Sequence, residues 1–260
     1  MKLKYTPSGY LFITPDDDCK AIVDAMLLTN YSEEFCIAMD FSPEFTIRLM
    51  EAGFLIMSAK IESNNDFSYV MLPKLHLVRS ALFFDNLHIK KSIRKYLNRY
   101  ELKADMDFER ILDRCLEKHG EDWLTPPLVD CIRQIRNGNQ FNGHSDKDPS
   151  LFTGFELFPI NKVYPTSFGL YRDGVLVAGE FGIVYGNVYT SYSGYFDEDN
   201  AGTVQIILTT RYLQDHGFYF FDLGMPLDYK NDLGAVDITP YRFVQLFRMG
   251  NKVRRSVDFK

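Results

Sequence analysis

The stretch SFGLYRDGVLVAGEFGIVYGNVYTSYS, residues 167–193, decides the fold. Ser167-Phe168-Gly169-Leu170-Tyr171 has strand composition, and Arg172-Asp173-Gly174 is a turn. Val175 to Val184 predicts a second strand, Tyr185-Gly186-Asn187 a second turn, and Val188 to Ser193 a third strand. Short turns rich in Gly, Asn and Asp between aromatic and β-branched runs build an antiparallel meander. Asp199-Asn200 then offers a helix N-cap. The helix runs to His216 and stops at Gly217. Phe218-Tyr219-Phe220-Phe221-Asp222-Leu223 follows as an apolar strand that ends in a carboxylate. Polar groups at the C-terminal end of such a strand are a common site arrangement in α/β sheets.

Meander, helix and strand in that order predict an α/β (α+β) protein with a GNAT-like, acyltransferase-type domain at the C-terminus. A smaller N-terminal α/β domain is expected over residues 1–100 and the GNAT-like domain over 101–260. Upstream, Tyr10-Leu11-Phe12-Ile13-Thr14 reads as a short strand, and Pro15-Asp16-Asp17-Asp18 opens a helix that continues through Leu28. Ser42-Pro43-Glu44 opens another, and residues 68–84 hold a strand or two. Residues 86–100 predict an amphipathic helix. Ile89, Ile93, Tyr96, Leu97 and Tyr100 share one arc, with Lys90, Lys91, Arg94, Lys95 and Arg99 on the other side. A helix over about 107–118 and another from Thr125-Pro126-Pro127 follow. Residues 137–163, rich in Gly, Asn, Ser, Asp and Pro, read as a long loop or insertion.

With 260 residues, 46% of them apolar and 15% aromatic, the chain can bury a real core, and disorder is excluded. No apolar run approaches the roughly 18–20 residues of a spanning helix, and Met1-Lys2-Leu3-Lys4-Tyr5 leads into no signal peptide. The expected location is the cytoplasm. The four cysteines, Cys19, Cys36, Cys115 and Cys131, have no C-x-x-C spacing, and the five histidines form no ligand set. No metal and no cofactor are expected. The formal net charge of −6 rules out a whole-chain basic footprint for nucleic acid. It leaves the local basic face of residues 90–99, which reads either as a phosphate-contacting surface or as a solvated helix face.

Several motifs stand in one order along the chain. Leu87-His88-Ile89-Lys90-Lys91-Ser92-Ile93-Arg94-Lys95-Tyr96-Leu97 is followed by Phe108, Ile111 and Cys115, then by Asp122-Trp123-Leu124. Leu176-Val177-Ala178-Gly179-Glu180-Phe181-Gly182-Ile183 precedes Ser193, Tyr195, Asn200 and Ala201. Asp222 and Leu233-Gly234-Ala235 close the set. In this order and spacing the chain resembles the leucyl/phenylalanyl-tRNA–protein transferases over roughly residues 50–245. It departs from them in places. Ser191-Tyr192 stands where the family has Gly-Glu, and Gly224 where it has the Gln of D-C-Q. Tyr229 replaces a His and Met71 a Trp, and Thr166 to Tyr171 occupy the H-S-x-E-x-W strand. Glu180 occupies a position that is apolar in the family.

The resemblance implies transfer of an amino acid from charged tRNA to the N-terminal α-amine of a protein, a step that can mark the acceptor for degradation. Its partners would be aminoacyl-tRNA and the N-terminal segment of acceptor proteins, with the chain a monomer and no membrane involved. An aminoacyl ester is already reactive. The enzyme must therefore supply an unprotonated amine, positioning, and oxyanion stabilisation. Asp222 is the candidate proton acceptor or amine-orienting group, or else a structural cap on the next loop. Tyr192 is a candidate hydroxyl donor. Trp123 would stack on the terminal adenosine or pack in a core. Glu180, Tyr189, Ser193, Gly194, Ile206, Thr209, Leu213, Phe221 and Gly224 would bound the amino-acid pocket or belong to the core. A carboxylate at Glu180, if it points inward, favours a polar or cationic side chain. Lys90, Lys91, Arg94, Lys95 and Arg99 would meet tRNA phosphates.

Two alternatives stand beside this reading. The replaced Gln and Glu positions suit a catalytically inactive homologue that binds tRNA or peptide. A CoA-dependent N-acyltransferase would need a Gln/Arg-x-x-Gly-x-Gly/Ala turn before the helix. Phe196-Asp197-Glu198-Asp199-Asn200-Ala201-Gly202 offers three carboxylates there instead.

Overall fold

The computed structural model describes residues 3–63, 66–140 and 162–250. The chain divides into two units, one built from residues up to Leu77 and from His119 to Asn142, the other from Val78–Lys118 and from Gly143 onward. The break expected between residues 100 and 101 falls inside the second unit, because the basic helix packs against a helix that comes a hundred residues later in the chain.

In the first unit, α1 (Cys19–Leu28) starts where Asp18 accepts hydrogen bonds from the backbone N–H groups of Lys20 and Ala21. Two otherwise orphaned donors are thereby satisfied. Helix α2 (Pro43–Ala52) has proline in its first turn and ends at Gly53, whose φ of 107° makes the left-handed C-cap. Strands β1 (Leu55–Ser63) and β2 (Asp66–Lys74) form an antiparallel pair, and α5 (Pro126–Gln140) packs on α2. The strand expected over residues 10–14 is reduced to the isolated bridges Tyr5↔Leu11 and Phe12↔Ile37. Residues 137–140 complete α5, and the rest of the expected long loop, 141–161, lies outside the described residues.

The second unit is a seven-stranded sheet in the order β4-β5-β6-β7-β8-β3-β9. Its strands are β3 (Arg79–Leu82), β4 (Glu101–Ala104), β5 (Tyr164–Arg172), β6 (Val175–Tyr185), β7 (Val188–Phe196), β8 (Phe220–Gly224) and β9 (Val236–Ile238). All pairings are antiparallel except β7 with β8. A parallel neighbour needs a crossover, and α6 (Ala201–Asp215) supplies it. The expected order of meander, helix and strand is therefore present, and the fold is α+β. Helix α6 buries Val204, Ile207 and Leu213 on one face of the sheet. The other face is covered by α4 (Phe108–His119), whose Ile111 lies against Gly169 and Gly179, and by α8 (Pro240–Gly250), whose Phe243 meets Phe220. A Cβ at Gly179 would come within 3.0 Å of Ile111, so the glycine is what lets α4 approach.

Two local expectations are corrected. The helix expected over 86–100 is only α3 (Lys91–Leu97), preceded by a 3-10 turn at Phe84–Asn86. The N–H of His88 bonds the carbonyl of Leu233 at 2.9 Å, outside any helical ladder, and Glu101 already belongs to β4. At the start of α6, Asn200 is the N-cap residue but makes no side-chain cap bond, having a left-handed φ of 67°.

Candidate functional site

Strands β7 and β8 pair only from Val188↔Phe220 to Thr190↔Asp222, although β7 continues to Phe196. Within β7, Phe181 faces Ser193 while Gly182 faces Ser191, so Tyr192 is the extra residue of a β-bulge. A Cβ on Gly182 would collide with the Thr190 carbonyl, so this bulge requires a glycine opposite. The bulge turns Tyr192 toward Phe181, with ring centroids 6.1 Å apart, and Tyr192 is half-buried.

Alternation along the paired strands separates two buried acids. Tyr189 and Phe221 face α6 and belong to one apolar cluster with Leu213. Their neighbours Thr190 and Asp222 point to the opposite face. Asp222 is fully buried and forms a bidentate pair with Arg79, Nε to Oδ1 at 2.8 Å and Nη2 to Oδ2 at 2.5 Å. Thr190 Oγ1 donates to Oδ2 at 2.8 Å and the Gly224 N–H to Oδ1 at 3.0 Å. The carboxylate thus accepts four hydrogen bonds and is closed to solvent. It pins the end of β8, the structural alternative expected for Asp222 from the sequence. The Arg79 guanidinium lies 4.3 Å above the Phe243 ring. Arg79 escaped the sequence reading. Its signal was the one charged residue in the run Leu77–Leu82.

On the α6 face, Glu180 points inward and is 3% exposed. Ser191 Oγ donates to its Oε2 at 2.8 Å, and Gln205 and Thr209 of α6 flank it, themselves joined by a 3.0 Å hydrogen bond. Its Oε1 has no hydrogen bond of ordinary geometry within the protein. Burial raises the Glu180 carboxyl above the usual carboxylate range, against the lowering effects of Gln205, Ser191, Thr209 and the Lys230 charge. The fully buried Tyr189 hydroxyl also lacks a hydrogen-bond partner, and burial, with Glu180 and Cys115 adding to it, holds its pKa well above the usual value. Of the remaining expected pocket residues, Ile206 is half-buried on α6 and Phe221 is buried beneath Tyr189, ring to ring at 5.2 Å. Gly194 lies opposite Glu180 in the sheet. Ser193 is half-buried and turned to Cys115 on α4, away from this group.

After β8 the chain turns at Gly224 (φ 70°) into α7 (Asp228–Asp232). Lys230 of α7 folds back, 7% exposed, and its Nζ donates to the carbonyls of Leu223 and Met225 at 2.7 Å each. Burial lowers its pKa to about 8, against the raising pull of Asp222 and Glu180. Sequence reasoning missed Lys230, since it sits in a polar segment that reads as ordinary loop.

The basic helix is fastened to this same segment. Lys90 Nζ meets Asp232 at 2.6 Å, His88 Nδ1 lies 3.2 Å from the Asp232 carbonyl, and Gly234 (φ 95°) passes so close to the Asn86 carbonyl that a Cβ would overlap it. Ile93 and Leu97 are buried with Val204 and Ile207 of α6. Lys91, Arg94, Lys95 and Arg99 are exposed, and Lys95 and Arg99 lie about 5 Å from the Tyr96 ring, at 5.1 and 5.0 Å. Trp123 belongs to the first unit, where it is half-buried and its carbonyl accepts from the Ser58 N–H at 2.9 Å.

Among the described residues, no group of three or more His, Cys, Asp or Glu is placed to hold a metal ion, and no helix is long and apolar enough to cross a membrane.

A family profile described as leucyl/phenylalanyl-tRNA protein transferase matches residues 156–248, the stretch from before β5 to within α8. This chain is similar to the leucyl/phenylalanyl-tRNA–protein transferases. The transferase of that name from Campylobacter jejuni is 23% identical over 238 residues, covering 90% of this chain and 97% of the relative. Those of Pectobacterium atrosepticum and Pseudomonas putida are 23% and 25% identical over 170 residues, which is 64% of this chain. Those two matches span 62% and 65% of the relatives' own length. Among solved structures, L-PGS from Bacillus licheniformis aligns over 97% of this chain and 89% of its own, with 12% identity and a TM-score of 0.37. The transferase motifs fall on β6, on the bulged β7, on the end of β8 and on Leu233-Gly234-Ala235, which is the docking point of the basic helix.

Proposed function

We propose that this chain is an aminoacyl-tRNA–protein transferase, moving an amino acid from charged tRNA to the α-amine of a protein N-terminus. The observation that carries the reading is the attachment of the basic helix, through Lys90–Asp232 and His88–Leu233, to the segment that follows β8. Three exposed cations of α3, Lys91, Arg94 and Lys95, and Arg99 just after it then stand beside the segment that carries the family's motifs. Contacts of that kind hold phosphates without reading sequence. The ester is already activated, so the protein's task is orientation and charge stabilisation. Asp222 holds the end of β8 in place through Arg79. Lys230, which has three donors and gives two of them to the carbonyls on either side of Gly224, offers the third to the developing oxyanion where the family has a Gln side chain. Tyr192 on the bulge is a second hydroxyl donor. The acceptor would leave with a new N-terminal residue that serves as a degradation signal in the cytoplasm.

A second reading, a homologue that binds tRNA or peptide without turnover, is favoured by the fully engaged Asp222 carboxylate and by Gly224. The deciding experiment offers radiolabelled amino acids on a mixed pool of charged tRNAs to peptides with varied N-termini. Label entering peptide with the native protein, and falling at least about tenfold with Lys230→Met while folding is retained, supports the transferase. Salt-sensitive tRNA binding without label transfer supports the binding homologue. Neither signal overturns both.

A further inference from the structure

The group facing α6 contains two wholly buried polar atoms, Glu180 Oε1 and the Tyr189 hydroxyl, that make no hydrogen bond of ordinary geometry, although Gln205 and Thr209 lie beside the carboxylate. Buried polar groups are normally satisfied, and exceptions call for a cause. Both side chains lie on the same face of the sheet. Gln205 and Thr209 of α6, also buried, bring further polar atoms to the group. Around them are ring faces: Phe168 lies 5.0 Å from Tyr189 and 5.3 Å from Tyr212, and Tyr189 lies 5.2 Å from Phe221. The nearby Lys230 ammonium makes no hydrogen bond to Oε1, and two of its three donors go to the carbonyls of Leu223 and Met225.

We propose that Glu180 and Tyr189, backed by Gln205 and Thr209, recognise the cationic side chain of the transferred amino acid, so that the charged tRNA this chain takes carries lysine or arginine. The inference rests on the transferase reading and names its substrate class. Glu180 Oε1 calls for a hydrogen-bond donor and the Tyr189 oxygen can accept one, and an ammonium or guanidinium supplies donors where an aliphatic or phenyl side chain does not. Aromatic faces accept both the alkyl stem and the cation. Leucine or phenylalanine would leave both polar atoms unpaired beside an apolar surface, and a site built for hydrogen bonding rejects the analogue that lacks them.

The test measures binding of non-hydrolysable 3′-aminoacylamido-adenosines carrying lysine, arginine, leucine or phenylalanine to the full chain by calorimetry, in parallel with transfer from the corresponding charged tRNAs. The native protein should bind the lysyl or arginyl compound at least about tenfold tighter than the leucyl one. Glu180→Met should erase or reverse that preference. Should Glu180→Met fail to fold, Tyr189→Phe removes one hydroxyl only and should reduce the preference by about threefold with an unchanged melting temperature. Tighter binding of the leucyl or phenylalanyl compound, or a cationic preference indifferent to both substitutions, overturns the proposal. If leucine or phenylalanine is nevertheless transferred, the transferase reading stands and only the substrate class falls. If none of the four compounds binds and nothing is transferred, both fall.

Discussion

Arg79 and Asp222, 143 residues apart in sequence, form a bidentate ion pair with side chains 2% and 0% exposed. Removing one partner of such a pair strands the other charge in the core. Asp222→Ala should therefore lower unfolding free energy by about 3–5 kcal/mol. Arg79→Met with Asp222→Leu should recover most of that loss. Denaturant titration of the two single variants and the double variant checks this. If Asp222→Ala leaves stability within about 0.5 kcal/mol of the native protein, the pair does not hold the fold as described. Loss of activity in Asp222→Ala alone is consequently no sign of a chemical role.

The exposed cations of α3 should matter for RNA and not for folding. Lys91→Glu with Arg94→Glu should weaken tRNA binding and lower the slope of log affinity against log salt by about 2. Thermal unfolding should stay within about 0.5 kcal/mol, since neither side chain is buried. Filter binding over a salt series, run beside a melting curve, gives both numbers. An unchanged slope would remove the helix from the RNA contact surface.

Gly234 allows the basic helix to dock. Its φ of 95° disfavours any L side chain, and its backbone lies against the Asn86 carbonyl. Gly234→Ala should cost at least about 2 kcal/mol, part of it from the left-handed backbone and part from displacement of residues 86–88. Amide exchange at His88, whose N–H bonds the Leu233 carbonyl, should quicken in the variant. Protection at His88 equal to that of the native protein would show that the segment does not move.

Lys230 gives a pH signature. Its pKa is lowered in the folded chain from 10.5 to about 8. Below pH 8 it is protonated both folded and unfolded, and the burial cost is present in full. Between about 8 and 10.5 the unfolded chain holds more protons than the folded one, so this residue's contribution rises with pH. Each unit of separation is worth about 1.4 kcal/mol. Native stability minus that of Lys230→Met should therefore climb across this window and level off above it. A flat difference from pH 7 to 11 would contradict the lowered value.

The meander and the strand carrying Asp222 were legible because they depend on local signals: Arg172-Asp173-Gly174 and Tyr185-Gly186-Asn187 force turns, and the intervening runs alternate or are wholly apolar. Gly217, with φ of 68°, stops α6 as read. The extent of α3 was not legible. Residues 87–89 have helical spacing, yet a hydrogen bond from His88 to a strand-proximal carbonyl 145 positions later draws them out. At the site, the position of Glu180 could be read from the strand, and the structure then turned its side chain inward. That Asp222 faces the other way follows from its pairing with Thr190, and its partner Arg79 comes from a strand whose place in the sheet no local pattern announces. Lys230 was hidden for a related reason, since a polar residue in a loop reveals its burial only when the loop's path is known.

Strand β3 lies between β8 and β9, although it is made far earlier in the chain than either. During synthesis β3 must wait, with the Arg79 charge unmatched, until β8 has left the ribosome, at about 5–20 residues per second. Only then do its edges close, by contacts of very long sequence separation that are intrinsically slow to form. A chain halted before Phe220 has neither neighbour for β3 and no carboxylate for Arg79, so the nascent protein spends most of its synthesis as a client for whatever shields unpaired strands.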